Sequence, residues 1–211
     1  DIPDQTDVDR FLPPFQTTNK LDMNNPMTLC GTIGPAYHTE GRIQQCLAFE
    51  TAKKKIAEID TVFGKLFGRS YHGMYEEYLC DDAEQVLVAT GSVAGTTRVV
   101  VNELRTTGRK VGMIKLKCFR PFPKEFFASI GGKFKALGVV DKSISFGYAG
   151  TIYGDVQSSM YGNSSTKMAN FICGLGGRDV SKDMITEMFG VLQNLSDGKT
   201  EDEVQFIGKR W

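Results

Sequence analysis

The run from Gln85 to Phe122 constrains the fold of this chain more than any other segment. It reads QVLVATGSVAGTTRVVVNELRTTGRKVGMIKLKCFRPF: an apolar stretch, a Gly/Ser turn, a helical stretch, a second apolar stretch and a proline-marked end. Two buried strands joined by a helix form a βαβ unit, and such a crossover places the two strands parallel in one sheet. The segment therefore predicts an α/β domain.

The same alternation continues towards the C-terminus. Strands are predicted at Gln85–Thr90, Lys110–Lys117, Ala136–Asp141 and Met168–Cys173, and helices at about Gly95–Thr106, Pro123–Ile130, Tyr153–Met160 and Lys182–Leu195. Val, Ile and Leu dominate the strands without clean alternation, which is typical of a sheet covered on both faces. We therefore expect a three-layer α/β fold with an open, mostly parallel sheet.

The first 40 residues have a different character. They hold five of the seven prolines, and Phe11, Leu12 and Phe15 flank the Pro13-Pro14 pair. A Pro-Pro pair favours an extended backbone, and the apolar residues around it need a surface to cover. This segment is therefore predicted to be an extended arm that crosses another domain or subunit.

A long helix is predicted between this arm and the α/β region. From Gly41 to Phe67 apolar residues recur at spacings of three and four, and Gly68 is a suitable C-cap residue. The chain is accordingly divided into an arm (1–40), a long helix and connector (41–79), an α/β domain (80–180) and a C-terminal helix and tail (181–211).

Charge and cysteine content exclude several classes of function. Twenty-five basic residues balance 25 acidic residues, which argues against a nucleic-acid or anionic-membrane partner, and no apolar run is long enough to span a bilayer.

Five cysteines lie far apart without a C-x-x-C pair: Cys30, Cys46, Cys80, Cys118 and Cys173. Neither a disulfide framework nor a cysteine-ligated metal site is expected. Cys118 and Cys173 are predicted to be buried, inert thiols, and a reducing cytoplasm fits this pattern.

Candidate ligand contacts fall where predicted strands end, because ligands bind at the carboxyl ends of parallel strands. In GSVAGT, Ser92 or Thr96 could cap a helix whose N-terminus holds a phosphate. The segment fits neither G-x-G-x-x-G nor G-x-x-x-x-G-K-[ST], so a tight turn is the favoured interpretation. Arg120 could grip a carboxylate or phosphate, pair with an acid of a neighbouring domain, or stack on Phe119.

Two further residues have functional and structural interpretations. Arg178, in the glycine-rich loop after Cys173, could dock another chain, although a simple turn is favoured. His38 could reach a site on a neighbouring domain, but a polar loop residue at an interface is the favoured interpretation. No catalytic, cofactor-binding or metal-ligating set is predicted. Because the chain also opens on Asp1, we expect one domain of a larger enzyme.

Several stretches in order resemble one family. They are DQTDVDRFLPPF, LDMNNPMTLCGTIGPAYHTEGR, DDAEQVLVATGSVAGTTRVVVNELRTTGRKVGMIKLKCFRPFPKE, VVDKSISFGYAG and NFICGLGGRDVS. Together they resemble the C-terminal half of the α-subunit of pyruvate:ferredoxin oxidoreductase and related 2-oxoacid:ferredoxin oxidoreductases. The resemblance implies a domain similar to the C-terminal domain of transketolases.

The resemblance also implies a function for the parent complex. Such a complex converts a 2-oxoacid, here best taken as pyruvate, and coenzyme A into acyl-CoA and carbon dioxide. Thiamine diphosphate with Mg²⁺ carries the chemistry, and iron–sulfur clusters pass electrons to ferredoxin. The implied partners are the N-terminal part of the α-subunit, the β-subunit and the iron–sulfur subunits, and this chain would hold no cofactor itself. It would act as a structural and assembly domain.

Two alternatives remain open at this point. The first is a stand-alone nucleotide-binding enzyme that uses the Gly91–Thr96 turn. The second is an isolated interaction module that binds coenzyme A or an acidic peptide through Arg120 and Arg178. Both predict a ligand for the chain alone, whereas the assembly domain predicts protein partners.

Overall fold

Two helices make up the regular structure of the first of two units, residues 1–73 and 74–211. The computed structural model describes residues 2–29, 31–162 and 165–210, so Cys30 lies outside the described residues. Helix α1 spans Gln5–Phe11 and helix α2 spans Pro35–Phe67. At about 1.5 Å per residue, the 33 residues of α2 extend over about 50 Å.

Aromatic rings join α1 to α2 within this first unit. The Phe11 ring meets Phe63 and Phe67 edge-on, at centroid distances of 5.4 Å and 5.7 Å. No residue of α1 or α2 is buried. Beyond α1, Phe15 and Met23 are 90% and 98% exposed. Within residues 2–29 and 31–73, the first unit therefore has no apolar core of its own.

A six-stranded sheet forms the centre of the second unit. Its strands are β1 (Tyr75–Tyr78), β2 (Gln85–Thr90), β3 (Val111–Leu116), β4 (Ala136–Asp141), β5 (Lys167–Ile172) and β6 (Val204–Phe206). They lie in the order β1-β3-β2-β4-β5-β6, and only the β1–β3 pair is antiparallel. The predicted open, mostly parallel sheet is confirmed.

Four helices cover the two faces of this sheet. They are α3 (Gly91–Thr106), α4 (Lys124–Ser129), α5 (Thr151–Met160) and α6 (Lys182–Ser196). Helices α3 and α6 pack on the face that carries Leu87, whereas α4 and α5 pack on the face that carries Val88. Because successive side chains of a strand point to opposite faces, both faces of β2 are apolar. The three-layer arrangement follows.

Some elements differ from the expectation. Within the arm, residues 5–11 are helical, and α2 begins at Pro35 instead of Gly41, with Pro in the first turn where its missing N–H costs nothing. Helix α3 begins at Gly91 instead of Gly95. The short strands β1 and β6 were not predicted. Cys118 lies beyond the end of β3 and is half-buried, so its predicted burial in a strand is wrong.

The surroundings of Gly112 in β3 and of Gly190 in α6 predict opposite effects of alanine on stability. A Cβ at Gly112 would lie 2.7 Å from the backbone oxygen of Leu79 and 3.1 Å from Cys80 Sγ. Gly112→Ala should therefore lower the free energy of unfolding by about 1–3 kcal/mol. A Cβ at Gly190, within α6, meets nothing within 4 Å, so Gly190→Ala should raise it by about 0.5–1 kcal/mol. Urea denaturation of the full chain measures both values, and an undiminished stability of Gly112→Ala would contradict this packing.

Candidate functional site

The order of the strands creates one switch point at the carboxyl edge of the sheet. The chain leaves β2 through α3 to β3 on one side, and then passes through α4 to β4 on the other side of β2. The loops after β2 and β4 therefore diverge, and they leave a crevice between them. In open α/β sheets, ligands bind at such a point.

A buried carboxylate fixes this edge. Asp141, the last residue of β4, is fully buried and accepts hydrogen bonds from the backbone N–H groups of Ile152 (2.9 Å) and Tyr153 (3.1 Å). It also accepts a bond of 3.0 Å from Asn170 Nδ2, while Asn170 Oδ1 accepts one of 2.7 Å from Gly150 N–H. The start of α5 is thereby tied to β4 and β5, and the N–H groups of Gly150, Ile152 and Tyr153 are occupied.

Burial dominates the ionisation of Asp141. Removal of the carboxylate from water raises the pKa of Asp141 above its usual value, and the hydrogen bonds from Ile152, Tyr153 and Asn170 oppose this shift only in part. The sequence predicted only that Asp141 ends a strand. What it did not show is that the start of α5 lies over the end of β4.

Two of the clefts at this edge are lined in part by residues at the start of α3. The larger, named the Phe119 cleft, has a volume of about 540 Å³ and is lined by Thr90, Gly91, Lys115, Leu116, Lys117, Phe119, Ser143, Thr151 and Ile152. The smaller, named the Lys142 cleft, has a volume of about 330 Å³ and is lined by Ser92, Val93, Thr96, Lys142, Gly177, Arg178, Asp179 and Val180. Together the clefts draw on the ends of β2, β3, β4 and β5.

The Lys142 cleft brings together two candidates from separate parts of the sequence, Ser92 and Arg178. Ser92 does not cap α3, because the N-cap residue is Thr90 and no side chain caps this helix. Arg178 Nη1 donates a hydrogen bond of 2.8 Å to the carbonyl oxygen of Gly208. This bond ties the guanidinium group to the segment that follows β6.

Arg120 is engaged within the second unit. Its guanidinium carbon lies 4.0 Å from the centroid of the Phe119 ring, and its Nη1 atom lies 2.7 Å from Asp155 Oδ2. The same Nη1 donates a hydrogen bond of 2.8 Å to the carbonyl oxygen of Phe119. The acid that pairs with Arg120 is thus on α5 of its own unit, and not on a neighbouring domain.

His38 belongs to a different unit of the chain from these groups. It belongs to the first turns of α2, so the expected loop environment is wrong. Its Nε2 accepts a hydrogen bond of 3.3 Å from Arg42 Nε. The side chain is exposed and belongs to the first unit, whereas Ser92, Arg120 and Arg178 belong to the second.

The described residues contain no group of three or more His, Cys, Asp or Glu side chains that could hold a metal ion. Cys173 is buried at the end of β5, and burial raises the pKa of its thiol to about 11, so it is not a ready thiolate ligand. No helix in the part of the chain that the structure describes is long and apolar enough to cross a bilayer.

Comparison with known proteins defines the class of this α/β domain. The family model for pyruvate:ferredoxin oxidoreductase core domain II matches residues 83–185. The pyruvate synthase subunit PorA of Methanothermobacter thermautotrophicus is 40% identical over 99% of this chain and 52% of its own length. The ketoisovalerate oxidoreductase subunit VorA of Pyrococcus abyssi is 37% identical over 94% of this chain and 51% of its own length.

A solved structure with a similar fold is the 2-oxoglutarate:ferredoxin oxidoreductase of Magnetococcus marinus, with 2-oxoglutarate, coenzyme A and succinyl-CoA bound. Its TM-score is 0.44 at 18% identity, covering 76% of this chain and 24% of that chain. The match to the core-domain model and the similarity to oxidoreductase subunits place the α/β unit in the oxidoreductase class. The resemblance to the pyruvate:ferredoxin oxidoreductase family that the sequence predicted is confirmed, and the chain spans about half the length of the curated relatives it matches.

The buried carboxylate predicts a distinctive dependence of stability on pH. Because the folded-state pKa of Asp141 is raised above the unfolded value of 3.8, the folded state binds more protons between these two values. The contribution of Asp141 to stability therefore falls as pH rises through this window. Relative to Asp141→Asn, the wild-type chain should therefore lose part of its advantage as the pH rises above the unfolded-state pKa of 3.8.

Urea denaturation of both proteins at each pH measures this difference, and subtraction removes the titration of the other groups. Asp202→Asn, at an exposed position, controls for the loss of one negative charge. An advantage of the wild type that grows with pH would mean that the hydrogen bonds outweigh burial.

Proposed function

We propose that this chain is a structural and assembly part of the α-subunit of a 2-oxoacid:ferredoxin oxidoreductase. This proposal rests on relatives that align with nearly the whole chain. PorA aligns with 99% of it, including the first unit as well as the α/β domain. The arm and α2 therefore accompany the α/β unit in a named oxidoreductase subunit. A ligand-binding α/β module alone would not need them.

In the proposed complex, a 2-oxoacid and coenzyme A are converted into acyl-CoA and carbon dioxide while ferredoxin is reduced. Thiamine diphosphate with Mg²⁺ and the iron–sulfur clusters would be held by other parts of the complex. The chain itself would supply a rigid surface that positions the cofactor-binding parts, which is how proteins serve cofactor chemistry.

Pyruvate is the proposed substrate of the complex. The relatives named pyruvate synthase include the one at 40% identity, whereas the ketoisovalerate oxidoreductase subunit is 37% identical. The preference for pyruvate rests on the similarity of these relatives. Activity assays of the purified complex with each of the two 2-oxoacids test it directly.

The first unit supports the assembly role through its exposed apolar side chains. Leu12, Phe15 and Met23 are 63%, 90% and 98% exposed, and α2 is a 33-residue helix without one buried residue. Exposed apolar surface of this kind marks a protein–protein contact. The proposed partners are the N-terminal part of the α-subunit, the β-subunit and the iron–sulfur subunits, with ferredoxin as the electron acceptor.

Removal of apolar side chains from the arm should weaken assembly. The tagged chain is used as bait in an extract of the native source, and the captured proteins are identified by mass spectrometry. Wild type should capture a thiamine-binding subunit and an iron–sulfur subunit. Leu12→Ser combined with Phe15→Ser should capture at least about tenfold less, since burial of each side chain contributes about 1.5–3 kcal/mol. Deletion of residues 1–20 should have the same effect.

Gln16→Ser, in the same exposed segment, is the matched control and should leave capture unchanged. Equal capture by the double variant and the wild type would contradict the role of the arm. Recovery of the wild-type chain alone, as a folded monomer, would contradict the assembly role and favour a self-sufficient ligand-binding module.

A further inference from the structure

The Lys142 cleft has the composition of a small anion site. Three separate segments line it: the first turns of α3, the residue that follows β4 and the loop that follows β5. They contribute the hydroxyl groups of Ser92 and Thr96 and the cations Lys142 and Arg178, with Asp179 as the one carboxylate among the lining residues. Two cations and one carboxylate leave the lining with a net positive charge, although the whole chain is neutral.

Lys142 differs from several other lysines of the α/β unit. Lys182, Lys135 and Lys133 each pair with a glutamate, at 2.6 Å, 2.6 Å and 3.0 Å. Lys142, by contrast, makes no hydrogen bond or ion pair within the described residues. Its ammonium group is therefore available to a ligand in the cleft.

The backbone of the neighbouring loop shapes the path of this lysine. Gly174 has a φ of +66°, and a Cβ at this position would lie 2.8 Å from Lys142 Cε. The aliphatic stem of Lys142 thus runs close against Gly174, where only glycine leaves room for it. Arg178, on the far side of the same loop, is held by its bond to the carbonyl oxygen of Gly208.

We propose that the Lys142 cleft binds the phosphoryl group of a small anionic ligand. Lysine, arginine and hydroxyl donors together satisfy the oxygens of a phosphoryl group. The volume of about 330 Å³ lies at the lower end of the roughly 300–1,000 Å³ of small-molecule sites, which suits a phosphoryl or diphosphoryl group. The cleft also lies at the switch point of the sheet, where ligands of open α/β domains bind. This site goes beyond the proposed assembly role and does not depend on it.

Titration calorimetry of the full chain with inorganic pyrophosphate tests the site. We expect saturable binding to the wild type. Lys142→Gln should weaken it about tenfold or more, because a hydrogen bond to a charged group contributes about 1.5–3 kcal/mol and 1.4 kcal/mol corresponds to tenfold. Lys167→Gln makes the same change of charge at an exposed position at the start of β5, on the opposite edge of the sheet, and should leave the affinity unchanged.

Three results would overturn the proposal. The first is no binding of pyrophosphate at millimolar concentration. The second is equal weakening by Lys142→Gln and Lys167→Gln, which would indicate general attraction by surface charge. The third is equal affinity for pyrophosphate and succinate, which would remove the assignment to a phosphoryl group. None of these results bears on capture of partner subunits, so failure here is distinguishable from failure of the proposed function.

Discussion

The carboxylate of Asp141 is the interaction on which the carboxyl edge of the sheet depends. An unpaired carboxylate in this fully buried position would be very costly, so its three hydrogen-bond donors must stay in place. Those donors belong to α5 and β5, and the acceptor ends β4. Three elements are thereby held in one arrangement. Gly150 completes it, because any side chain there would collide with the carboxylate.

The hydrogen bonds of Asp141 also distinguish the two helix N-termini at this edge. The N-terminus of α5 is occupied by Asp141, whereas the N-terminus of α3 has no side-chain cap. Both clefts are lined in part by residues at the start of α3. Two residues follow Asp141 directly: Lys142 lines the Lys142 cleft, and Ser143 lines the Phe119 cleft. The position of Asp141 therefore affects both clefts.

The sheet was largely predictable because its strands are long and apolar on both faces. The predicted bounds of β2 and β4 agree with the structure, whereas β1 (YEEY) and β6 (VQF) are too short and too polar for the pattern to indicate. The partners of individual side chains were harder to predict from the sequence. Neither the pairing of Arg120 with Asp155 nor the meeting of Ser92 and Arg178 in one cleft follows from spacing, since both depend on how distant segments pack.

The exposed first unit should make the chain susceptible to proteolysis before assembly. A helix of 33 residues without a buried side chain gains little stability from its own packing, and it opens at small cost in free energy. Proteases cut where the backbone opens easily, so an unassembled chain would be cleaved first in the arm and α2. A partner that covers these segments would protect them. Selective degradation could in this way remove copies that have found no partner and keep subunit numbers in balance.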